Sequence, residues 1–306
     1  VLGHSRMESL DKIGLWIFIL AITGVMFHGG ARLLSARKHP PHRVKTKKVY
    51  MYRFYERLWH WTMAAGIIVL AITGLEIHYT GSFSFFGLET AVHVHNILAG
   101  ILIFNAALSL FYHLATGEIK QFFRFNRKFI HETLVQSWYY IHGIFRRQPH
   151  PIQKTRERKL NPLQQMTYVV LLNILLPFQV ITGMLMMGVG KWPAFADKIG
   201  GLTYLGPIHN LGSWLFIAFL AVHIYLTTTG HTVFSNIRAM ITGYDEVEEG
   251  GPAPEHVNLM DLKVMDLVGT LLGKKQKQEE QEKSEESEET IEEIEDKQEP
   301  SEKGGK

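Results

Sequence analysis

The feature that most constrains this chain is a set of five long apolar segments. Each approaches or exceeds the roughly 20 residues that cross the hydrocarbon core of a bilayer. In chain order they are I (about Ile13 to Ala31), II (Leu58 to Tyr79), III (Ala91 to Ala115), IV (Leu163 to Val189) and V (Pro207 to Gly230). Because the charged residues collect between these segments, we predict an all-α membrane protein, a single bundle of five transmembrane helices.

Lysine and arginine are distributed unevenly among the connections. The link from Arg32 to Arg57 has nine of them and the link from Lys120 to Lys159 has ten, whereas the connection from Thr80 to Thr90 has none. The positive-inside rule places basic links in the cytoplasm. We therefore expect a multi-pass protein surrounded by the lipid of a prokaryotic cytoplasmic membrane, with its N-terminus outside and its C-terminus inside.

The chain has no cysteine. It therefore forms no disulfide, no thiolate-bound iron–sulfur cluster and no covalent c-type haem, so other subunits must deliver or remove any electrons. From Gln276 to Lys306, thirteen acidic residues accompany five lysines and little apolar content, which predicts a disordered tail. We divide the chain into an N-terminal helix with a basic link (1–49), a four-helix core (50–245) and a cytoplasmic extension (246–306), and expect no nucleic-acid partner.

Two histidines on segment V, His209 and His223, are separated by thirteen residues. Fourteen helical steps place them about 40° apart on one face and about 21 Å apart along the axis. One helix can therefore ligate two haems at different depths. The alternative is that either histidine is a buried side chain bonded to a neighbouring carbonyl.

The predicted topology gives each histidine a depth in the bilayer. His95 and His209 lie toward the outer side, and His60 and His223 toward the inner side. Each pair joins two helices, as axial coordination of one porphyrin requires. We therefore predict two six-coordinate haems b, whose filled axial positions favour electron transfer over oxygen binding.

His78 and His113 are alternative ligands. They follow His60 and His95 by eighteen residues, which is five whole turns, so each stays on the face of a predicted ligand. We rank them lower because they lie at helix ends, about 27 Å along the helix from those ligands, where imidazole can reach water or head groups. His28 on segment I has no obvious partner, and we interpret it as structural.

Arg53 and Arg57 precede His60 on the predicted cytoplasmic side. They are close enough to form charge-assisted hydrogen bonds with haem propionates. A role in topology alone is the alternative, and Arg57, three residues from His60, is the stronger candidate.

Two further patterns concern packing and the membrane surface. Residues 131–147, HETLVQSWYYIHGIFRR, combine aromatic and basic side chains, which indicates a helix at the membrane surface, with an ordinary loop as the alternative. Glycine next to threonine lets a porphyrin or another helix approach the backbone closely. Such pairs recur at Thr23-Gly24, Thr73-Gly74 and Thr182-Gly183.

The residues from Tyr50 to Asp245 resemble the membrane cytochrome b (gamma) subunit of respiratory formate dehydrogenases, which is related to the cytochrome b subunits of nickel–iron hydrogenases and thiosulfate reductases. The stretch from Arg57 to Trp61 matches an Arg-x-x-His-Trp element of that family. His95 and Gly100 match a His–Gly element with a gap one residue longer, and His209 and His223 match its closing pair. The resemblance implies the same pairing of haem ligands.

The resemblance also implies a quinone site beside the inner haem. The family has an Asn-x-x-Gln element where menaquinone binds, and Asn161 and Gln164 match it, although Leu163 replaces a glycine. It further implies that His223 neighbours the quinone. Helix capping by Asn161, with Pro162 at the first helical position, explains the same residues without a ligand.

Together these patterns predict a di-haem subunit that carries electrons between an extracytoplasmic redox subunit and menaquinone or another quinone near the cytoplasmic face. The expected partner is an iron–sulfur or multihaem cytochrome subunit of a hetero-oligomeric complex, and substrate oxidation would belong to another chain. One alternative is quinol oxidation with export of electrons to an extracytoplasmic cytochrome or reductase. Another is a haem-free membrane anchor or proton-relay transporter.

Overall fold

The computed structural model describes residues 2–38, 45–123, 125 and 128–249. It confirms the predicted fold class, because five of its helices are long and apolar enough to cross a membrane. These candidate spans are Ser9–Lys38, Phe54–His78, Leu88–Thr116, Pro162–Gly188 and Gly201–Thr227. The predicted acidic tail lies outside the described residues.

The elements follow one another as a mostly helical chain with two short strands. The helices are α1 (Leu2–Lys38), α2 (Phe54–His78), α3 (Leu88–Thr116), α4 (Phe129–Ile141), α5 (Pro162–Val170), α6 (Leu176–Gly188), α7 (Pro193–Lys198), α8 (Gly201–Thr227) and α9 (Ser235–Thr242), and the strands are β1 (Thr46–Tyr50) and β2 (Tyr244–Glu248). A π-helical turn, Leu171–Leu175, joins α5 to α6 within one span. Pro177 follows this turn and has no N–H to offer the preceding turn, which accounts for the local irregularity.

The spans pack in an arrangement typical of a bundle in lipid. Helix α1 packs on α8, α2 on α3, and α6 on α8. Large apolar side chains point outward, as Phe27 at 79% exposure does, whereas polar side chains such as Thr73 and Asn210 are buried. Since lipid replaces water outside the bundle, the apolar exterior is stable there.

Helix α1 is fastened to the bundle by polar contacts at both ends. At one end, the Asp11 carboxylate accepts hydrogen bonds from Asn210 and from His78, whose Nε2 is 3.0 Å away. At the other end, His28 Nε2 donates to the carbonyl of Tyr140 at 2.8 Å, and its Nδ1 accepts from the Tyr225 hydroxyl at 2.5 Å. The partners of His28 support its interpretation as structural.

The two strands form a small antiparallel sheet that the sequence did not predict. Thr46 pairs with Glu248 and Tyr50 with Tyr244, so the sheet joins chain segments almost 200 residues apart. Gly243 precedes β2 with φ of 87°, and a Cβ there would lie 2.7 Å from the Tyr50 ring. The borders that we drew at residues 49/50 and 245/246 both fall inside this sheet.

Candidate functional site

The structure brings His60 of α2 and His223 of α8 together toward the end of the bundle at which α2 begins and α8 ends. Their ring centres are 6.1 Å apart and their planes are inclined by 51°. His60 Nδ1 is buried and has no hydrogen-bond partner among the described residues. His223 stacks against Phe219 with 5.6 Å between ring centres. We refer to these two histidines as the inner pair.

His95 of α3 and His209 of α8 form a second pair nearer the other end of α8. Their ring centres are 6.4 Å apart and their planes are inclined by 70°. The Gln179 amide nitrogen is 3.5 Å from His209 Nε2, but its closer partner is the Ser213 hydroxyl at 2.8 Å. We call these two histidines the outer pair.

Two threonines orient the rings of the outer pair. Thr73 Oγ1 is 2.9 Å from His95 Nδ1, and it donates to the backbone carbonyl of Val69. Thr182 Oγ1 is 2.8 Å from His209 Nδ1 and likewise donates to a carbonyl one turn earlier. Each hydroxyl donates its proton to a carbonyl, so it accepts a hydrogen bond from Nδ1–H of the histidine. The Nε2 lone pair of each histidine is therefore available to bind a metal.

The glycine that follows each threonine lets the histidine ring lie close to the neighbouring helix. A Cβ on Gly74 would be 3.4 Å from His95 Cε1, and a Cβ on Gly183 would be 3.2 Å from His209 Cε1. Each of these two Thr-Gly pairs therefore contacts one outer histidine in the same way: the threonine hydroxyl bonds to Nδ1, and the glycine leaves space for the ring. The sequence showed the repeated dipeptide but not that its partner would be a histidine on another helix.

The spacing within each pair suits a metal ion between the rings. An imidazole nitrogen binds a transition metal at about 2.0–2.1 Å. It lies about 1.15 Å from the centre of a five-membered ring with bonds of about 1.35 Å. Two axial imidazoles therefore have ring centres about 6.3–6.5 Å apart, and the observed separations are 6.1 and 6.4 Å.

The alternative ligands have other partners. His78 is paired with Asp11 and lies 3.4 Å from the Asn210 amide. His113 Nδ1 is 2.7 Å from the carbonyl of Ser109, and its ring is buried. Neither histidine shares a short ring contact with a second histidine among the described residues.

The two predicted propionate ligands differ in their surroundings. Arg57 donates through Nη1 to the carbonyl of Ile241, and its Nε is buried without a hydrogen-bond partner in the described part of the chain. Arg53 is 59% exposed at its side chain and approaches Glu118 at 3.9 Å and the Tyr112 hydroxyl at 3.5 Å. Arg57 therefore retains one unused buried donor near His60, whereas Arg53 faces the end of α3.

Asn161 and Gln164 form a capping box at the start of α5, as the capping interpretation requires. Asn161 Oδ1 accepts from Gln164 N at 2.9 Å, and Gln164 Oε1 accepts from Asn161 N at 3.0 Å. Pro162 occupies the first helical position. This motif uses both amide oxygens and neither amide nitrogen. The Asn161 amide nitrogen also contacts the Tyr140 phenol, but each NH₂ group has two N–H bonds, so both side chains retain a donor.

Helix α4 confirms that residues 131–147 include a helix and adds polar groups that the sequence did not single out. Gln136 is 1% exposed, and neither of its side-chain amide atoms makes a hydrogen bond of normal geometry among the described residues, although the amide adjoins the Tyr140 phenol. Tyr140 follows one turn later. A glutamine four residues before a tyrosine was visible in the sequence, but its burial depends on packing against α5.

The fold and the histidine pairs define a class of protein, a helical membrane protein that can hold metal between histidines of different spans. Comparison with known proteins is more specific. Residues 51–243 match the family described as prokaryotic cytochrome b561. The chain belongs to this family of membrane cytochromes, and a b-type cytochrome implies haem b and electron transport.

The relatives are similarly described. A protein of Escherichia coli K12 described as the cytochrome YdhU is 29% identical over 235 residues, which cover 76% of this chain and 85% of the relative. A protein of Rhizobium leguminosarum bv. viciae described as a Ni/Fe-hydrogenase B-type cytochrome subunit is 27% identical, covering 69% and 94%. Its counterpart in Cupriavidus necator is 25% identical, covering 65% and 87%. No solved structure matches the chain significantly.

Proposed function

We propose that this chain holds two haems b and carries electrons across the membrane between an extracytoplasmic redox subunit and a quinone near the cytoplasmic face. The observation that carries the proposal is the arrangement of two histidine pairs, each with one member on α8. The ring spacing of each pair suits iron, and fourteen helical steps, about 21 Å of helical rise, lead from one α8 ligand to the other. One haem would lie between His60 and His223, the other between His95 and His209.

Bound haem supplies one-electron redox chemistry, and the protein determines how the group is held and insulated. His60 and His223 would bind the inner iron through neutral nitrogens, while Arg57, with Arg53 as a second donor, would pair with a propionate. With both histidines of a pair bound to its iron, a haem would have no free position for oxygen.

At the outer pair, Thr73 and Thr182 fix the tautomer of each ligand and the rotation of its ring. A hydrogen bond at Nδ1 raises the basicity of Nε2 and so strengthens its bond to a metal. His95 and His209 would bind the outer iron through these oriented nitrogens. The inner histidines lack such a threonine contact in the described residues, so we expect the two haems to differ in midpoint potential.

We place the quinone beside Asn161 and Gln164 at the start of α5. Their amide nitrogens can donate to a quinone carbonyl, since capping uses only the amide oxygens. His223 would neighbour the quinone as well as bind iron. Leu163 stands where formate dehydrogenase cytochromes have glycine, so the fit of the quinone would differ at this residue. Menaquinone is the expected quinone by resemblance.

The orientation follows from the basic links between the first and second spans and between the third and fourth spans. With these links in the cytoplasm, the N-terminus and the outer pair lie on the extracytoplasmic side. Protons for quinone reduction would then come from the cytoplasm. Electrons would enter from the opposite side, so turnover would contribute to a proton-motive force.

The proposed partner subunit is inferred from the proteins that this chain resembles. Its relatives described as hydrogenase cytochrome subunits, together with the resemblance to the formate dehydrogenase gamma subunit, support membership of a hetero-oligomeric respiratory oxidoreductase. The outer partner would be an iron–sulfur or multihaem cytochrome subunit docked near His95 and His209. Substrate oxidation would take place in a further subunit.

Spectroscopy of the purified protein tests the haem component. Reduction with dithionite should give the sharp bands of low-spin haem b, and a protein that expresses and folds without such bands would contradict the proposal. For the quinone component, a soluble naphthoquinone should reoxidise the reduced protein. Asn161→Ala and Gln164→Ala should slow that oxidation while leaving the spectrum intact, and Asn173→Ala in the π-helical turn serves as a matched control.

A further inference from the structure

A cluster of polar side chains lies where α4, the link before α5 and the start of β2 meet. We call Gln136, Tyr140, Lys154, Asn161 and Asp245 the inner polar cluster. Asn161 also belongs to the proposed quinone stretch, whereas the other four have no role in the function proposed above.

The first observation is an unsatisfied amide. Gln136 is 1% exposed, and neither polar atom of its side chain makes a hydrogen bond of normal geometry among the described residues, although its amide adjoins the Tyr140 phenol. Burying a polar group without a partner is costly, so such a group indicates a missing ligand or water. Gln136 lies one helical turn before Tyr140, which puts both side chains on one face of α4.

The second observation concerns the surroundings of Tyr140. Burial raises the pKa of its phenol, and the Thr229 hydroxyl, the Lys154 charge and the side chains of Asn161 and Gln136 lower it in part. The net pKa is above the ordinary value, so the phenol keeps its proton at neutral pH. His28 donates to the backbone carbonyl of Tyr140 at 2.8 Å, which fixes the turn that carries the phenol.

The third observation is an ammonium group with access to water. Lys154 Nζ is 3.2 Å from Asp245 Oδ2 and 3.1 Å from Asn236 Oδ1. The Lys154 side chain is 29% exposed and that of Asp245 is 6% exposed. Burial lowers the pKa of Lys154, but Tyr52 and Asp245 raise it by more, so the group is charged at neutral pH and can recover a proton from solvent.

The cluster is close to the inner pair along the chain. Helix α8 ends at Thr227, four residues and about 6 Å of helical rise after His223, and Thr229, which neighbours the Tyr140 phenol, follows two residues later. Several other titratable groups interact electrostatically with Lys154, His150 or Tyr139 at the border of the cluster. They are Tyr52, Tyr168, His150, His231, Arg32 and Glu248.

We propose that Gln136 and Tyr140 complete the quinone site, with Gln136 donating to a quinone carbonyl and Tyr140 delivering protons that Lys154 replenishes from the cytoplasm. This inference rests on the proposed function. Quinone reduction takes two electrons, which come from the haem side, and two protons. In each protonation the Tyr140 O–H bond breaks as a quinone O–H bond forms. The phenolate then takes a proton from the Lys154 ammonium, and the amine recovers one from water.

The test uses the full-length haem-loaded protein with menadione as the probe. Dithionite-reduced protein is mixed with menadione and the decay of the reduced haem band is followed, while binding of menadione to the oxidised protein is measured by titration calorimetry. Tyr140→Phe should slow the decay about a hundredfold, the usual range for a lost general acid, and should leave the menadione affinity and the haem spectrum unchanged. Tyr139→Phe, the same change at the adjacent buried tyrosine, should behave as the unsubstituted protein.

Two further variants separate binding from proton supply. Gln136→Leu should weaken menadione binding about tenfold, which is the effect of one lost hydrogen bond. Lys154→Met should slow the decay without changing affinity, and ethylammonium should restore part of the rate, with the rescue following the concentration of the protonated amine. A merely structural role for Lys154 predicts no such rescue.

The outcomes are distinguishable. If the unsubstituted protein reacts with menadione and Tyr140→Phe reacts equally fast, or if Tyr139→Phe is equally impaired, the role of Tyr140 is refuted. Unchanged affinity of Gln136→Leu refutes its contact with the quinone. If the unsubstituted protein carries reduced haem but neither binds nor reduces menadione, the quinone function itself fails and this inference fails with it.

Discussion

The substitution Thr182→Val tests how the outer histidines are held. Valine has nearly the shape of threonine but cannot accept the hydrogen bond that joins Thr182 Oγ1 to His209 Nδ1 at 2.8 Å. The ring would keep its position beside α6 while its Nδ1–H loses its partner. An unpartnered buried donor costs about 1–3 kcal/mol.

The substitution would also weaken binding of the outer haem, because the hydrogen bond at Nδ1 makes Nε2 a stronger ligand. Loss of such a bond lowers metal affinity by about 10- to 100-fold, which corresponds to about 1.4–2.7 kcal/mol. The midpoint potential of the same haem should rise, since a less basic imidazole stabilises ferric iron less. The inner haem should be unaffected.

A redox titration monitored in the visible spectrum, together with the haem content after dilution into detergent, provides the assay. Thr73→Val should change the same haem, because Thr73 makes the equivalent contact to His95. The matched control is Thr167→Val, since the Thr167 hydroxyl bonds to a carbonyl one turn earlier but contacts no histidine. Equal effects of all three substitutions, or effects of Thr73→Val and Thr182→Val on different haems, would show that the two threonines do not hold the outer histidines.

Three other predictions address the fastening of the bundle. Asp11→Asn should lower the temperature at which haem is lost, because it weakens the contacts of α1 with the second and fifth spans, whereas exposed Asp197→Asn should not. Glu76→Gln should make the connection between α2 and α3 more sensitive to protease. The buried Glu76 carboxylate accepts hydrogen bonds from three backbone N–H groups and one hydroxyl of that connection. The control Glu89→Gln should leave the connection resistant. Burial lowers the pKa of His150 to about 4, so the neutral form stabilises the fold. This contribution to stability is complete above the ordinary pKa of about 6.5 and is lost as pH falls toward 4. His150→Gln should therefore flatten the decline in melting temperature between these two pH values.

The sequence was informative where short-range rules apply. Apolar length predicted the five spans, and the Asn161-Pro162 start of α5 was recognisable because capping is a local interaction. Helical geometry also placed His209 and His223 on one face. The observed start of α8 at Gly201 is six residues earlier than the predicted start at Pro207, because this helix has Pro207 in its interior.

The remaining features depend on contacts between distant parts of the chain. Strands β1 and β2 are rich in charge and lack apolar alternation, so neither indicated a strand before they paired. The hydrogen bond that orients His209 comes from Thr182 on a neighbouring helix, and the partner of His78 is Asp11 on the first span. Such contacts follow from the packing of helices in three dimensions, which no periodicity in the sequence specifies.

In the proposed arrangement, each of two haems is bound by one histidine of α8 and one histidine of another span. Haem content per chain, measured together with a redox titration of single alanine variants, tests it most directly. We expect two haems b in the unsubstituted protein, loss of the same haem in His60→Ala and His223→Ala, and loss of the other in His95→Ala and His209→Ala. A single haem per chain, or loss of one haem when members of different pairs are replaced, would contradict it.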